Sequence, residues 1–254
     1  MIVERALHPA YTSNSYLVVD RPGGAALVVD TGADAEPLIR RVRDLDARVA
    51  VVLLTHHHHD HVEFSSAWTA AFRCEVAAHP LEAARLAGTP SAVTRHLRDD
   101  ESFQVGELLV RCLHVPGHTD GQLTFVVRHG DEHEVFTGDT LFKGSVGGTR
   151  APGHTDIQDL RRSLDRLMQL PRAWSVRPGH TDPTTIGAEH DTNPFLLAFR
   201  GEREVRPVPA ETSSGERVDL LLRARDYDGG TKCWVRWSSG AEDVVPGSRV
   251  RELD

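Results

Sequence analysis

The most constraining feature of this chain is an abrupt change of character around residue 55. Val49-Ala50-Val51-Val52-Leu53-Leu54 is a continuous apolar run, and it gives way without a spacer to Thr55-His56-His57-His58-His59-Asp60-His61. A short run that is apolar at every position suits a strand buried on both faces, the usual state of a parallel strand under helices. The imidazoles begin where that strand must end, so a rigid element delivers them. The chain has 15 histidines, five of them within positions 56–61. An affinity tag would sit at a terminus and would lack Asp60, so the cluster belongs to the fold.

The flanking sequence reads as an α/β protein. Segments 15–20 and 25–30 are β-rich, and Arg21-Pro22-Gly23-Gly24 between them reads as a hairpin turn. Asp34 is placed to cap a helix with Leu38, Val42 and Leu45 on one face. Further helices are expected around 62–71 and 80–87, and strands at 107–115, 122–129 and 133–137. Thr155-Asp156-Ile157-Gln158 fits a capping box with Thr155 as N-cap. Behind it Ile157, Leu160, Leu164, Leu167 and Met168 form a helical stripe, read as core packing, that ends at Pro171.

Composition shifts near residue 204, where Arg206-Pro207-Val208-Pro209 reads as a linker. Beyond it, 218–227 and 231–237 are strand-like around Asp228-Gly229-Gly230. The expected organisation is a catalytic domain over 1–203 and a small β-barrel-like appendage over 204–254. About fifty residues are marginal for independent stability, so the appendage is expected to dock on the main domain or to form a homodimer with a second copy.

Composition narrows the function. The formal net charge of −8 argues against nucleic acid as a partner, because phosphate binding depends on clustered Lys and Arg. With 39% hydrophobic residues the chain can bury a core without a disulfide framework. Its three cysteines, Cys74, Cys112 and Cys233, are far apart and form no CxxC pair. No apolar run approaches the roughly 20 residues that span a bilayer, and Met1-Ile2-Val3-Glu4-Arg5 lacks a signal-peptide layout, so a cytoplasmic protein acting on a small molecule, with no membrane partner, is expected. The positive charge is nearly all Arg; the two lysines are Lys143 and Lys232.

Zinc takes imidazole nitrogen and carboxylate oxygen at about 2.0–2.2 Å. On a strand-like stretch His56 and His58 would point to one side, as ligands of one ion, while Asp60 and His61 could turn toward a second ion. Further donors occur in an unusual form, since Pro-Gly-His-Thr-Asp appears three times, at 116–120, 152–156 and 178–182. The first and third copies follow strand-like segments, so His118 and His180 are ligand candidates. The middle copy follows a Gly-rich loop, which makes His154 a loop or substrate-facing residue. Asp139, in Phe136-Thr137-Gly138-Asp139-Thr140, leaves the end of an apolar strand and could bridge two cations.

The order Asp30-Thr31-Gly32, H-x-H-x-D-H at 56–61, Gly117-His118, Gly138-Asp139 and Gly179-His180 resembles the metallo-β-lactamase-fold hydrolases over roughly residues 1–200. Gly138-Asp139-Thr140-Leu141-Phe142, Thr184-Thr185-Ile186-Gly187 and Asn193-Pro194-Phe195 are similar to the glyoxalase II-like (hydroxyacylglutathione hydrolase-like) branch. The resemblance implies an αββα four-layer sandwich and two metals, zinc with iron or manganese as alternatives. It implies that His56, His58 and His118 hold one metal and Asp60, His61 and His180 the other, with Asp139 and a hydroxide bridging. Asp60 and Asp139 would be the catalytic carboxylates, and Asp30 would steady the histidine loop from behind.

The activity so implied is hydrolysis of a thioester by attack of the bridging hydroxide. A thiolate leaves without prior protonation, and no G-x-S-x-G nucleophile elbow is present. After Phe142 the chain lacks the Gly-Cys-Gly-Arg pattern of glyoxalase II proteins, and a β-rich tail replaces their helical C-terminal region, which argues against glutathione as the carrier thiol. Lys143 and Arg150 are placed to meet an anionic substrate group. Alternatives within the fold are a mononuclear iron persulfide dioxygenase, a lactonase and a phosphodiesterase. From a different class, Tyr227, Trp234 and Trp237 raise the option of an aromatic cage, although strand alternation puts Trp234 and Trp237 on opposite faces.

Overall fold

The structure, a computed structural model, describes residues 1–253. The chain forms two compact units. The first comprises Met1–His114, Gly121–Gly138 and Ser175–Thr181, and the second Val115–Asp120, Asp139–Trp174 and the chain from Asp182 onward.

In the first unit one sheet is ordered Ile2–Leu7, Asn14–Val19, Ala25–Val29, Arg48–Leu53, Glu75–Ala78 and Arg95–His96. Its first three strands are antiparallel, and from Ala25–Val29 onward the pairing is parallel. The other sheet is an antiparallel meander of Ser102–Val105, Leu108–His114, Leu123–His129 and Glu132–Gly138, to which Ser175–Pro178 adds in parallel.

The two-residue period of a strand explains the packing. Tyr16, Val18, Leu27, Val29, Val51 and Leu53 turn toward the second sheet and meet Val110, Cys112, Phe125, Val127 and Phe136. The intervening Leu17, Val19, Ala26, Val28, Val52 and Leu54 meet Leu38, Ile39 and Val42 of the helix Glu36–Asp44 and Trp68 of the helix Ser65–Phe72. The strand Arg48–Leu53 is therefore covered on both faces from Val51 onward, while Ala50 near its start is exposed although the apolar run includes it. Each fully buried Val or Leu contributes about 1.5–3 kcal/mol.

Ala25–Val29 and Arg48–Leu53 run parallel, so they end at one edge and release Asp30 and Thr55 there. Glu132–Gly138 and Ser175–Pro178 likewise run parallel and end at Gly138 and at Gly179-His180. The carboxyl ends of parallel strands are where open α/β sheets carry their functional loops.

Two helix starts differ from expectation. Ala35, not Asp34, is the N-cap of Glu36–Asp44, while Asp34 Oδ1 accepts from Glu36 N at 3.1 Å. Pro37 explains the start: it lacks an N–H and fits only the first turn. Asp156 rather than Thr155 caps the helix Ile157–Leu167, accepting from Asp159 N at 2.8 Å. A carboxylate one residue nearer the helix outcompetes the hydroxyl. Ile157, Leu160, Leu164 and Leu167 are buried as the stripe predicts, and Met168 is the C-cap. The helical region near 62–71 divides into a single turn, His59–Val62, and Ser65–Phe72, and the next helix is Pro80–Leu86.

The second unit carries the hairpin Leu141–Phe142 with Ser145–Val146, the helices Ile157–Leu167, Ile186–Thr192 and Pro194–Phe199, and an antiparallel sheet. That sheet is ordered Glu242–Pro246, Thr231–Trp237, Arg217–Arg225, Val208–Thr212 and Val250–Glu252, around Ala210, Val218, Leu220, Cys233, Val235, Val245 and Val250. Val208 and Pro209, expected in a linker, are strand residues instead, and the Pro209 carbonyl accepts from Leu253 N at 2.9 Å. Among the described residues no helix is long and apolar enough to cross a membrane.

Burial pushes the Cys112 thiol up to about 12 and the Cys233 thiol up to about 11, and raises that of half-buried Cys74. Because the thiolate is the reactive species, brief iodoacetamide treatment of the native protein should label Cys74 first. Cys112 and Cys233 should label only on denaturation, as read by mass spectrometry. Rapid native labelling of either would mean that its core opens readily.

Candidate metal centre

In the first unit the histidine loop hangs from Asp30. Asp30 is buried and takes a left-handed backbone conformation, φ +54°, directly after its strand. Its Oδ1 accepts from Thr55 N at 2.8 Å, and its Oδ2 accepts from the Thr55 hydroxyl at 2.8 Å and from His61 Nδ1 at 2.9 Å. These contacts fix tautomers. A carboxylate only accepts, so His61 carries its proton on Nδ1 and offers a lone pair at Nε2. The Thr55 proton is directed at Asp30, so Thr55 Oγ1 accepts from His56 Nδ1 at 3.0 Å, and His56 likewise presents Nε2.

Residues 55–58 form an irregular loop rather than a strand, yet the rings of His56 and His58 lie 4.6 Å apart and those of His56 and His61 lie 4.3 Å apart. The chain turns at His58 into the short helix that places Asp60 and His61. Gly32 makes room for this turn, because a Cβ there would stand 1.5 Å from the Asp60 carbonyl oxygen. His57 is drawn elsewhere: its N–H donates to Glu82 Oε2 at 3.0 Å and its ring Nδ1 contacts the same oxygen. His59 is exposed, 3.3 Å from Glu63.

Asp60, His61 and His180 present donor atoms within 4.8 Å of one another. His180 is positioned by the strand Asn14–Val19. Asn14 N donates to Gly179 O at 2.7 Å, Asn14 Nδ2 donates to the Pro178 and Thr181 carbonyls at 2.9 Å each, and the Tyr16 hydroxyl donates to Pro178 O at 2.9 Å. Burial raises the Tyr16 phenol above its ordinary range, which keeps the donating proton in place.

In the second unit His118 Nδ1 donates to the Gly148 carbonyl at 2.9 Å, which leaves Nε2 as its ligand nitrogen. That Nε2 stands 3.5 Å from Asp139 Oδ2. In the first unit the corresponding distances to Asp60 Oδ2 are 3.5 Å from His61 Nε2 and 3.4 Å from His180 Nε2. These separations exceed ordinary N–H···O hydrogen bonds. They match two ligands of one tetrahedral ion, which at bond lengths near 2.1 Å stand about 3.4 Å apart. The residues present therefore fit bound metal.

The three Pro-Gly-His-Thr-Asp copies meet different fates. His118 and His180 are buried, while His154 is exposed with Nδ1 bonded to Ala151 O at 2.8 Å. Lys143 is exposed; Arg150 lies 3.6 Å from Asp243 and 4.9 Å over the Trp237 ring. The aromatic cage is not assembled. Trp237 packs on the core of its sheet, Trp234 meets Phe199 at 5.1 Å on the other face, and Tyr227 meets Phe142 at 5.3 Å. Sequence reasoning missed Glu82, fully buried behind His57, whose Oε1 also accepts from Gly121 N at 3.1 Å. In sequence it is one more acidic residue on a short helix.

The Metallo-beta-lactamase superfamily profile matches residues 8–180. The chain belongs to this superfamily. It is 36% identical over 208 residues to hydroxyacylglutathione hydrolase GloC of Haemophilus influenzae, covering 74% of this chain and 94% of that one. Among solved structures, ETHE1 from Myxococcus xanthus superposes with a TM-score of 0.67 at 28% identity, covering 78% of this chain and 85% of that one. TTHA1623, solved in a di-iron-bound form, gives 0.63 at 33% identity, covering 76% and 100%. The α/β architecture with several sheets is thus the metallo-β-lactamase fold, with the expected β-rich C-terminal segment.

Asp30→Asn leaves one side-chain oxygen where two accept now. Loss of an outer partner of this kind lowers metal affinity by about 10–100-fold. Chelator competition should register that drop with the circular-dichroism spectrum unchanged; unaltered affinity would show that Asp30 does not orient His61.

Proposed function

We propose that this member of the superfamily is a dinuclear metal-dependent hydrolase of thioesters. The observation that carries the reading is the group of Asp60, His61 and His180, its two imidazoles buried, beside His56 and His58, with the tautomers of His61 and His56 set by Asp30. In this reading His56, His58 and His118 would hold one metal and Asp60, His61 and His180 the other, with Asp139 as a further carboxylate ligand. Bound metals would acidify water toward neutrality and polarise a substrate carbonyl.

The chain's own residues do the positioning. Asp30, Thr55 and the Gly148 carbonyl hold the imidazoles with Nδ1 as donor, which leaves Nε2 as the nitrogen for a metal. Burial raises the Cys112 and Cys233 thiols, which disfavours either as a nucleophile. A thioester needs no general acid for its leaving group, and the relative GloC is a hydroxyacylglutathione hydrolase by name. Zinc is the favoured metal, and the di-iron-bound form of TTHA1623 makes iron the alternative to test.

Protein purified without chelator or added metal should contain close to two metal ions per chain by elemental analysis and should hydrolyse acyl thioesters. Asp139→Ala should lower kcat by at least about a hundredfold, because it weakens the hold on the metals that would stabilise the developing charge. One iron per chain, with oxygen consumed on a persulfide and no thioester turnover, would replace this reading with the dioxygenase.

A further inference from the structure

The second unit contains a cavity of about 300 Å³, with His118 and Asp139 in its wall. Phe142, Tyr227, Val244 and Pro246 give it apolar surface, and Arg150 and Arg249 stand in its lining. Tyr227, Val244, Pro246 and Arg249 all belong to the sequence beyond 204, past the stretch matched by the superfamily profile.

This wall is built in. Lys232 is buried, donates from Nζ to the Val146 carbonyl at 2.8 Å and pairs with Asp226 at 3.1 Å. The same ammonium lies 4.9 Å from the Phe142 ring centre and 5.2 Å from that of Tyr227. The Ser145 hydroxyl donates to Asp226 Oδ1 at 2.9 Å. The turn at 226–230 is thereby tied to the hairpin at 141–146, and Tyr227 is held edge-on to Phe142.

The charges are not equivalent. Lys232 is neutralised by Asp226, and Arg150 is partly engaged by Asp243 and Trp237. Asp228 also lines the cavity, but its Oδ1 accepts from Gly230 N within its own turn. Arg249 is exposed and has no carboxylate partner among the described residues. A guanidinium in the lining of a cavity that also offers apolar surface suits a carboxylate, which it can bind through two parallel hydrogen bonds. The volume lies at the lower end of the about 300–1,000 Å³ of ligand pockets, which favours a short chain.

We propose that the C-terminal sheet makes this cavity a recognition pocket for a short acyl substrate ending in a carboxylate, bound by Arg249, with Arg150 also in the lining. The acyl part rests on the hydrolase reading above; recognition of the anion does not.

Full-length protein, metal-loaded and metal-stripped, is titrated calorimetrically with glutarate and with neutral glutaramide. Glutarate should bind both forms at least about tenfold more tightly than glutaramide, the worth of one charge-assisted contact. Arg249→Gln should remove that preference, whereas the exposed control Arg203→Gln should keep it. On the loaded enzyme, Arg249→Gln should cut the ratio of kcat/KM for glutaryl over valeryl thioester by a similar factor. Equal binding of both ligands, or an unchanged preference in Arg249→Gln, overturns the pocket. If neither thioester is hydrolysed the hydrolase reading falls, and the titration of stripped protein still decides the pocket.

Discussion

The candidate centre depends on one buried carboxylate. Asp30 accepts from the Thr55 amide, the Thr55 hydroxyl and His61 Nδ1, and through Thr55 it also sets the tautomer of His56. Its left-handed backbone makes this reach feasible: the chain turns directly after the strand Ala25–Val29, and Asp30 N bonds to Leu53 O at 2.9 Å. Asp is among the few side chains that tolerate this conformation. Without that carboxylate, a buried hydroxyl and a buried imidazole N–H would lose an acceptor, at a cost of about 1–3 kcal/mol each.

The carboxylate can act this way because the strands around it are packed on both sides. Two parallel strands, covered on one side by helices and on the other by a second sheet, end at the same level. Packing at crystal-like density leaves little freedom for side chains held at their ends. Close approaches extend the control into the loop, where Thr31 N bonds to His61 O at 2.7 Å and Gly32 admits the Asp60 carbonyl. Strand geometry is thus passed to imidazole orientation through short hydrogen bonds, which apart from that of Thr55 with His56 join neighbours in space that are distant in sequence.

That separation sets what the sequence could reveal. The apolar run at 49–54 and the cluster behind it were readable because hydrophobic period and residue type are local properties. The three Pro-Gly-His-Thr-Asp copies are identical, and the distinction among them lay in what precedes each: Leu108–His114 before the first, a strand containing Pro178 in the third, and a loop before the second. The exact helix caps were lost to competition between adjacent candidates, Thr155 against Asp156 and Asp34 against the demands of Pro37. Glu82 left no trace, because its partners His57 and Gly121 are on other elements. Lys232 did leave one. It is one of two lysines in a chain that uses arginine elsewhere, a rarity that composition reports without saying where the ammonium goes.

Its position shows why a lysine is there. Burial lowers the pKa of Lys232, and the neighbouring Asp226 carboxylate opposes that shift. Such a pair contributes little net stability, since an apolar pair of equal volume packs about as well, but losing one partner strands a charge and costs about 3–5 kcal/mol. Its value lies in direction. A leucine in place of Lys232 would fill the space and allow the turn at 226–230 to slide over Phe142. An ammonium that must reach the Val146 carbonyl and Asp226 together, between two aromatic rings, permits one placement. The C-terminal sheet thus holds Tyr227 and Asp226 in register with the hairpin that follows Asp139, without needing a large interface to do so.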